Sequence, residues 1–547
     1  MKHRHLVLCL GALWGVVHCS GRGSTLPPAG DAGEDTQAPL DTGGPGTDTG
    51  ATDRPTPTDA PGTPTRTAIT QFGVDGQRTL ANRAETALSP AALRAGGFGR
   101  DMAFRPMIEG QVYAQPLYMP AVMVGGAPRS LLFVATQSNN VYGLDALTGA
   151  EVWRVNLGTP VSRSSQPCGN VSPSTGVLGT PVIDPASNTL YAVSFNASGG
   201  AKVFNLNALD LATGAQRGGY PAAIRPPMSN GSSFDPNPTG ERGALLFLNG
   251  HVYVPFGGLF GDCGYYHGWV VDIDAAAPET QVAFGTPGSG SGIWAPAGLS
   301  TDGMGNLFVS TGNSMRTRPG GATQFGFMAG SLGEFVLRLR APGLAFSMGD
   351  TSAQFSPSDA VGLDNQDADI GSVAPVVLPG TGAMTLLFQG GKEGAGYILN
   401  AAALGGPGGQ LSEANINQGM YGAVAAWSNG TTTYVFAPVR GRGTGCTGSG
   451  GVQALRLQGT TLAPAWCTAS LTNVMPAVSS NGNEGGVLWV AGASAATLRA
   501  YDIADGMEVY NSQAEAPTGV AQWVPPVVAD GRVYVTGRTS VSMYRMR

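Results

Sequence analysis

Histidine and charge are both scarce in this chain. It holds five histidines in 547 residues, and three of them, His3, His5 and His18, fall in its opening stretch. That leaves His251 and His267 for the rest, too few for a histidine-based metal cluster. Charged residues make up 12% of the sequence, with a net charge of -6. No basic stripe is there to neutralise phosphates, which sets nucleic acid aside as a partner. No Cys-x-x-Cys-His occurs, which excludes a covalently attached c-type haem. Nor does a Gly-x-Ser-x-Gly elbow or a phosphate loop stand between a strand and a helix. Long amphipathic helical patterns are rare. Between residues 20 and 66 there is no aromatic residue, valine or isoleucine. Such a stretch cannot bury enough apolar surface to offset the entropy of ordering it.

What the chain does have is glycine, 84 residues of it, with 42% hydrophobic residues. That mixture favours many short strands joined by tight turns, an all-β protein. The first residues, Met1-Lys2-His3-Arg4-His5, precede an apolar run over residues 6–17, a charged region and a hydrophobic region too short to span a bilayer. The run ends Val16-Val17-His18-Cys19-Ser20, which resembles a bacterial lipoprotein cleavage box, although His18 stands where a small residue is usual. The expectation is a signal peptide over residues 1–19, acylation of Cys19, and a flexible tether over residues 20–66. The protein would then be exported as an outer-membrane lipoprotein facing the periplasm or the cell surface, touching membrane through its lipid alone.

From residue 67 the chain becomes self-similar at a long period. Leu131-Leu132-Phe133-Val134 is followed by Asn140-Val141-Tyr142-Gly143-Leu144-Asp145, a Thr148-Gly149 turn and Val152-Trp153. The same order returns at Thr189-Leu190-Tyr191 with Thr213-Gly214, and at Val487-Leu488-Trp489 with Asp505-Gly506. Further strands at His251-Val252-Tyr253, Asn306-Leu307-Phe308, Leu386-Leu387-Phe388, Thr433-Tyr434-Val435 and Arg532-Val533-Tyr534 keep the rhythm. Eight units predict an eight-bladed β-propeller over residues 67–547, with seven blades as the alternative. The last unit lacks an outer strand. Met102-Ala103-Phe104-Arg105 is expected to supply it and so remove an open sheet edge.

Residues 143–153 resemble the repeat of quinoprotein (pyrroloquinoline quinone) dehydrogenases, in which Asp, Thr-Gly and Trp recur at fixed offsets. The resemblance implies that Trp153 docks between blades and bonds to backbone at a neighbouring turn. Gly110-Gln111-Val112-Tyr113, Tyr266-His267-Gly268-Trp269, Ser291-Gly292-Ile293-Trp294, Thr311-Gly312-Asn313 and Gly391-Lys392-Glu393-Gly394 are similar to motifs of exported bacterial propellers of this type. By this resemblance Lys392 matches the cation at the quinone carbonyls and Asn313 a metal-binding Asn, with Trp294 and His267 as further channel candidates. A packed core histidine is the other reading of His267. The family's catalytic base should precede Phe335-Val336-Leu337, yet residues 327–333 contain no acid. The family's Glu ligand should lie just before Gly268-Trp269, where only Asp262 could substitute beside Cys263.

Asp364, Asp367 and Asp369 crowd one segment that lacks the glycine and terminal glutamate of an EF-hand, so a solvated turn is expected there. Export places Cys168, Cys263, Cys446 and Cys467 in an oxidising compartment, and four is an even number. Three pairings are open; Cys446–Cys467, within one blade, is favoured, leaving Cys168–Cys263. The functional expectation is a non-catalytic envelope propeller that binds or scaffolds a protein, glycan or small ligand, partly through the loops 316–333 and 441–451, with no cofactor. The alternative is a dehydrogenase with pyrroloquinoline quinone, calcium and an altered site.

Overall fold

The computed structural model describes residues 67–547 apart from residues 170, 260–261, 318–322, 327, 418 and 494–495. The signal segment, Cys19 and the linker over 20–66 lie outside the described residues, as does part of the loop 316–333.

Eight sheets follow one another along the chain, each built on four antiparallel strands. Blade 1, for example, runs Leu117–Val124, Ala127–Ala135, Asn140–Asp145 and Glu151–Asn156. The eight second strands expected from the repeat are all present, from Ala127–Ala135 through Thr189–Ser198, His251–Gly258 and Asn306–Ser310 to Leu386–Gly390, Thr433–Val439, Glu484–Gly492 and Arg532–Thr536. Eight blades are therefore formed, and the seven-bladed alternative falls.

The ring closes as the repeat required, but with a different strand. Phe98–Arg100 pairs with Val541–Met546, setting Phe98 opposite Met546 and Arg100 opposite Tyr544. Residues 102–105 are not that strand, because Asp101 turns the chain: its Oδ1 accepts from Ala103 N at 2.9 Å and its Oδ2 from Arg545 at 2.8 Å. Phe98 sits in the core against Trp489, Tyr510 and Tyr544. A short ring-closing strand that carries a buried aromatic fixes the register of the seam.

The blade-docking device is realised at Trp153. Its Nε1 donates to Leu211 O of blade 2 at 2.8 Å, and its ring lies on Gly143 and Gly214, where an added Cβ would come within 2.4 and 2.5 Å of it. Glycine at both positions is thus a packing requirement, and at Gly214 the backbone (φ +70°) asks for it as well. Trp466 repeats the device, donating to Ile503 O at 3.3 Å over Gly506.

A feature the repeat did not announce is a plug. In each blade the first strand lies at the inner edge, and the segment from Ile69 to Asn82 bonds to the inner edge of all eight. Ile69 pairs with Tyr118; the carbonyls of Thr70, Gly76, Gln77, Thr79 and Leu80 accept from Ile183, Thr301, Val377, Ala426 and Val478. Arg78 reaches Leu245 of blade 3 and Asn82 reaches Val528 of blade 8. So short a segment can touch eight inner strands only by lying across the ring axis. Val74, Arg78 and Leu80 hold positive φ there, a costly backbone that persists where surrounding contacts determine it.

Both disulfides form as expected, Cys168–Cys263 and Cys446–Cys467, closing 95- and 21-residue separations. Loops of these lengths contribute on the order of 3–5 kcal/mol each through the unfolded state. Among the described residues no helix is long and apolar enough to cross a membrane.

Candidate functional site

Two sets of loops converge at one mouth of the ring and enclose a cavity of about 280 Å³. Connections entering the innermost strands deliver Arg242, Trp294, Asp369, Tyr421 and Trp523. Loops joining second to third strands deliver Asp262, Asn313, Lys392 and Arg440. A rigid ring thus aims loop residues from several blades at one point, the usual way a propeller builds a site. Asp262, Asp367 and Trp523 hold positive φ, so the rim is locally strained. The Cys168–Cys263 bond staples the loop carrying Gln166, Gly169 and Val171 against that carrying Asp262, and all four residues line the cavity.

Cations and indoles dominate one wall. The Arg242 guanidinium lies 4.7 Å from the ring centroids of both Trp294 and Trp523, while its Nε and Nη2 donate to Trp294 O at 3.1 and 2.9 Å. Burial pulls its pKa down to about 10, opposed by Asp262 and Asp369, so it remains charged at neutral pH. Lys392 Nζ is 2.6 Å from Asp367 Oδ1, 2.7 Å from Asp369 Oδ1 and 5.3 Å from the Trp294 centroid. Burial works against its charge, but Asp369 and Asp367 outweigh burial and raise its pKa. Arg440 is exposed and stacks on Tyr421 with its Cζ 3.5 Å from the ring centroid.

Acids share the lining through Asp262, Asp367 and Asp369, with Glu334 and Asp364 next to them around Asn313. Asp369 is buried; its Oδ2 accepts from Trp294 Nε1 at 3.0 Å, and burial raises its pKa against the opposing pull of Lys392. Asn313 Nδ2 donates to Glu334 Oε1 and Asp364 O, both at 3.3 Å. Glu334 Oε2 accepts from Ile370 N at 2.9 Å, and burial followed by Asp369 raises the Glu334 pKa well above the carboxylate range. Asp364 accepts from Ser314 N at 2.8 Å and from the Ser314 hydroxyl. Asp262 accepts from Tyr266 Oη at 2.8 Å, and burial raises its pKa too.

Three of the four channel candidates, Lys392, Asn313 and Trp294, meet in this cavity, and His267 is not among the residues that line it. His267 packs edge-on to Trp269 with Nδ1 2.8 Å from Gly288 O and 3.0 Å from Thr286 O; burial lowers its pKa. It is a packing histidine. The solvated turn expected at 364–369 is corrected as well: Asp364 lies within the helix Ala360–Gln366, and Asp364 and Asp369 are both buried because Ser314, Trp294 and Lys392 supply their partners. Only Asp367 of the three stays half exposed.

A carboxylate beside Lys392 therefore exists, although residues 327–333 contain none. Asp369 arrives from the connection into blade 5, a segment outside the motifs that carry the resemblance. Arg242, Trp523, Tyr421 and Arg440 escaped the sequence reading for a related reason, since they lie in no matched motif. Their common signal is position: a few residues ahead of an innermost strand, or in the loop after a second strand.

One acid of this layer makes pH a readout. Glu393 is largely buried, and its pKa is pushed from 4.5 up to about 8, by burial first and by Asp369 next. A carboxyl raised on folding holds its proton longer in the native state, so stability should fall as pH rises from about 4.5 to about 8 and level off above. Glu393→Gln is expected to flatten that fall in urea denaturation midpoints. An unchanged slope would show that Glu393 titrates normally.

No family model matches the sequence, and no curated protein does either. Among solved structures the fold is similar to a quinohemoprotein alcohol dehydrogenase from Pseudomonas putida HK5, with a TM-score of 0.61 at 14% identity over 88% of this chain and 80% of that one. It is similar also to the quinohemoprotein alcohol dehydrogenase of Comamonas testosteroni, with a TM-score of 0.60 at 15% identity over the same shares. A europium-containing methanol dehydrogenase gives 0.58 at 13%, over 87% of this chain and 90% of that one. The architecture is an eight-bladed propeller of the quinoprotein alcohol dehydrogenase type. At such identities the likeness defines the fold and leaves the chemistry to the site.

Proposed function

We propose that this protein is a binding propeller of the cell envelope, held there through Cys19, which takes a carboxylate-bearing small molecule into the mouth cavity and does not oxidise it. The observation that carries the reading is the convergence of Arg242, Lys392 and Arg440 on a cavity walled by Trp294, Trp523 and Tyr421. Arg440 makes no ion pair among the described residues, so its stacked guanidinium is the cation that an incoming anion meets at the rim. Fractionation of a Cys19→Ala form tests the anchor: release from membranes supports it, and retention contradicts it.

The groups that a quinoprotein fold implies do not fit these residues. Calcium takes six to eight oxygen ligands. Here the Asp369 oxygens face the Lys392 ammonium and the Trp294 indole N–H, Cys263 occupies the expected Glu position in a disulfide, and among the described residues no three His, Cys, Asp or Glu side chains are grouped to hold a metal. A planar quinone would need an aromatic face, yet Trp294 already has two cations within 5.3 Å of its centroid. The second reading, a quinone-dependent oxidoreductase, is favoured by one observation, the Asp369 carboxylate beside Lys392.

D-galacturonate and D-galactose, which differ by a carboxylate, test the first reading. Galacturonate should quench tryptophan fluorescence saturably, with affinity lowered about tenfold or more by Arg440→Ala, the loss of one charge-assisted hydrogen bond. Equal responses to the two sugars, or none, would contradict it.

A further inference from the structure

Trp523 also lines a second cavity of about 250 Å³, whose other lining residues include Gln111, Tyr113, Ser172, Gln522 and Arg538. Trp523 is the residue common to both linings, and it is held at φ +64°, where a bulky side chain is rarely found. A strained aromatic shared by two cavities is a feature that ordinary packing does not call for.

The chemistry of the two cavities differs. The first cavity presents cations against indole and phenol rings. The second presents amides, a phenol, a hydroxyl and one guanidinium, and several of its groups are pre-set: Gln111 Nε2 donates to Ser172 O at 2.9 Å, and Tyr113 Oη donates to Gln111 Oε1 at 3.2 Å. Gln522 is half-buried and Arg538 exposed. Val112 and Ala521 are the apolar contributors, and both are buried. Such a lining suits a body rich in hydroxyl groups, with a further anion at Arg538.

Resting on the mouth-cavity reading above, we infer that the ligand is an acidic oligosaccharide that crosses Trp523, one uronate carboxylate meeting Arg440 and Arg242 and a later unit meeting Gln522 and Arg538. The indole edge gives the sugar chain an apolar ridge to ride over, and the amides of the second cavity read its hydroxyls. An acidic peptide is the competing occupant, and its aliphatic side-chain stems would meet a lining whose aliphatic members are Val112 and Ala521.

Isothermal titration with galacturonate, tetragalacturonate and tetraglutamate separates these outcomes. Tetragalacturonate should bind at least about tenfold tighter than the monomer, since a second set of contacts adds roughly 1.4 kcal/mol or more. Gln522→Ala and Arg538→Ala should each remove most of that gain. Both positions are at least partly solvent-accessible, so the variants should fold, and near-UV circular dichroism checks that they do. If monomer and tetramer bind alike and Arg538→Ala changes neither, the inference falls while the mouth-cavity reading stands. If neither sugar binds, both fall. Tetraglutamate binding as tightly as tetragalacturonate would replace the sugar with a peptide.

Discussion

Arg78→Ala should cost the propeller about 3–5 kcal/mol in chemical denaturation, the range for stranding buried polar partners. Arg78 is fully buried on the ring axis. Its Nε donates to Leu299 O at 2.8 Å, Nη1 to Phe72 O at 2.9 Å and Nη2 to Leu245 O at 2.9 Å. One planar guanidinium thus ties the plug to itself and to blades 3 and 4. Burial lowers its pKa to about 9, with Asp75 opposing, so the group stays charged at neutral pH. Alanine would orphan three carbonyls, each worth about 1–3 kcal/mol when buried without a partner, and would remove a cation that offsets the charge of half-buried Asp75. Arg78→Lys should rescue little, because an ammonium cannot span the fork that the guanidinium fills. A change of less than about 1 kcal/mol would mean that the plug is an accessory rather than the axle of the ring.

The second large effect lies at the mouth. Lys392→Met should destabilise the fold by about 3 kcal/mol or more at neutral pH, because Asp369, only 1% exposed, loses its ammonium partner and is left as an uncompensated charge. Adding Asp369→Asn should recover most of the loss, since an amide still accepts from Trp294 Nε1 without needing a cation. The sign of the double-mutant coupling is the test. Additive losses would show that the pair acts independently and that Lys392 spends its charge elsewhere. Exposed Arg94, paired with Asp502 at 2.8 Å, is the contrast: its removal should change stability by less than about 1 kcal/mol.

The sequence carried the architecture well because a propeller is periodic. Each second strand announced its blade, and Gly143, Gly214 and Trp153 announced the docking device, since only glycine leaves room for the indole. The four cysteines resolved into the favoured pairs for a topological reason: Cys446 and Cys467 share blade 6, whereas Cys168 and Cys263 sit on loops of neighbouring blades. What the sequence hid is what breaks the period. The plug has no repeat to belong to, and its bonds run to eight distant strands. The closing strand is three residues long and was displaced by the turn at Asp101. Asp369 looked like one of three solvent-facing acids, because nothing local shows that Trp294 and Lys392, both remote in sequence, converge on it. His267 matched a motif yet faces backbone carbonyls, which distance in sequence could not reveal.

The proposed binding without oxidation is tested most directly by dye-linked dehydrogenase turnover. Purified protein would be supplied with pyrroloquinoline quinone and calcium and assayed over a panel of alcohols and aldoses. General-base assistance is worth roughly a hundred- to ten-thousand-fold in rate, so a working Asp369 would be plain to see. No turnover above that of Lys392→Ala is expected, because Asp369 is committed to Lys392 and Trp294 and, among the described residues, no three acids, histidines or cysteines are grouped to hold the metal. Saturable turnover that disappears in both Lys392→Ala and Asp369→Asn would contradict it and make the mouth cavity an active site.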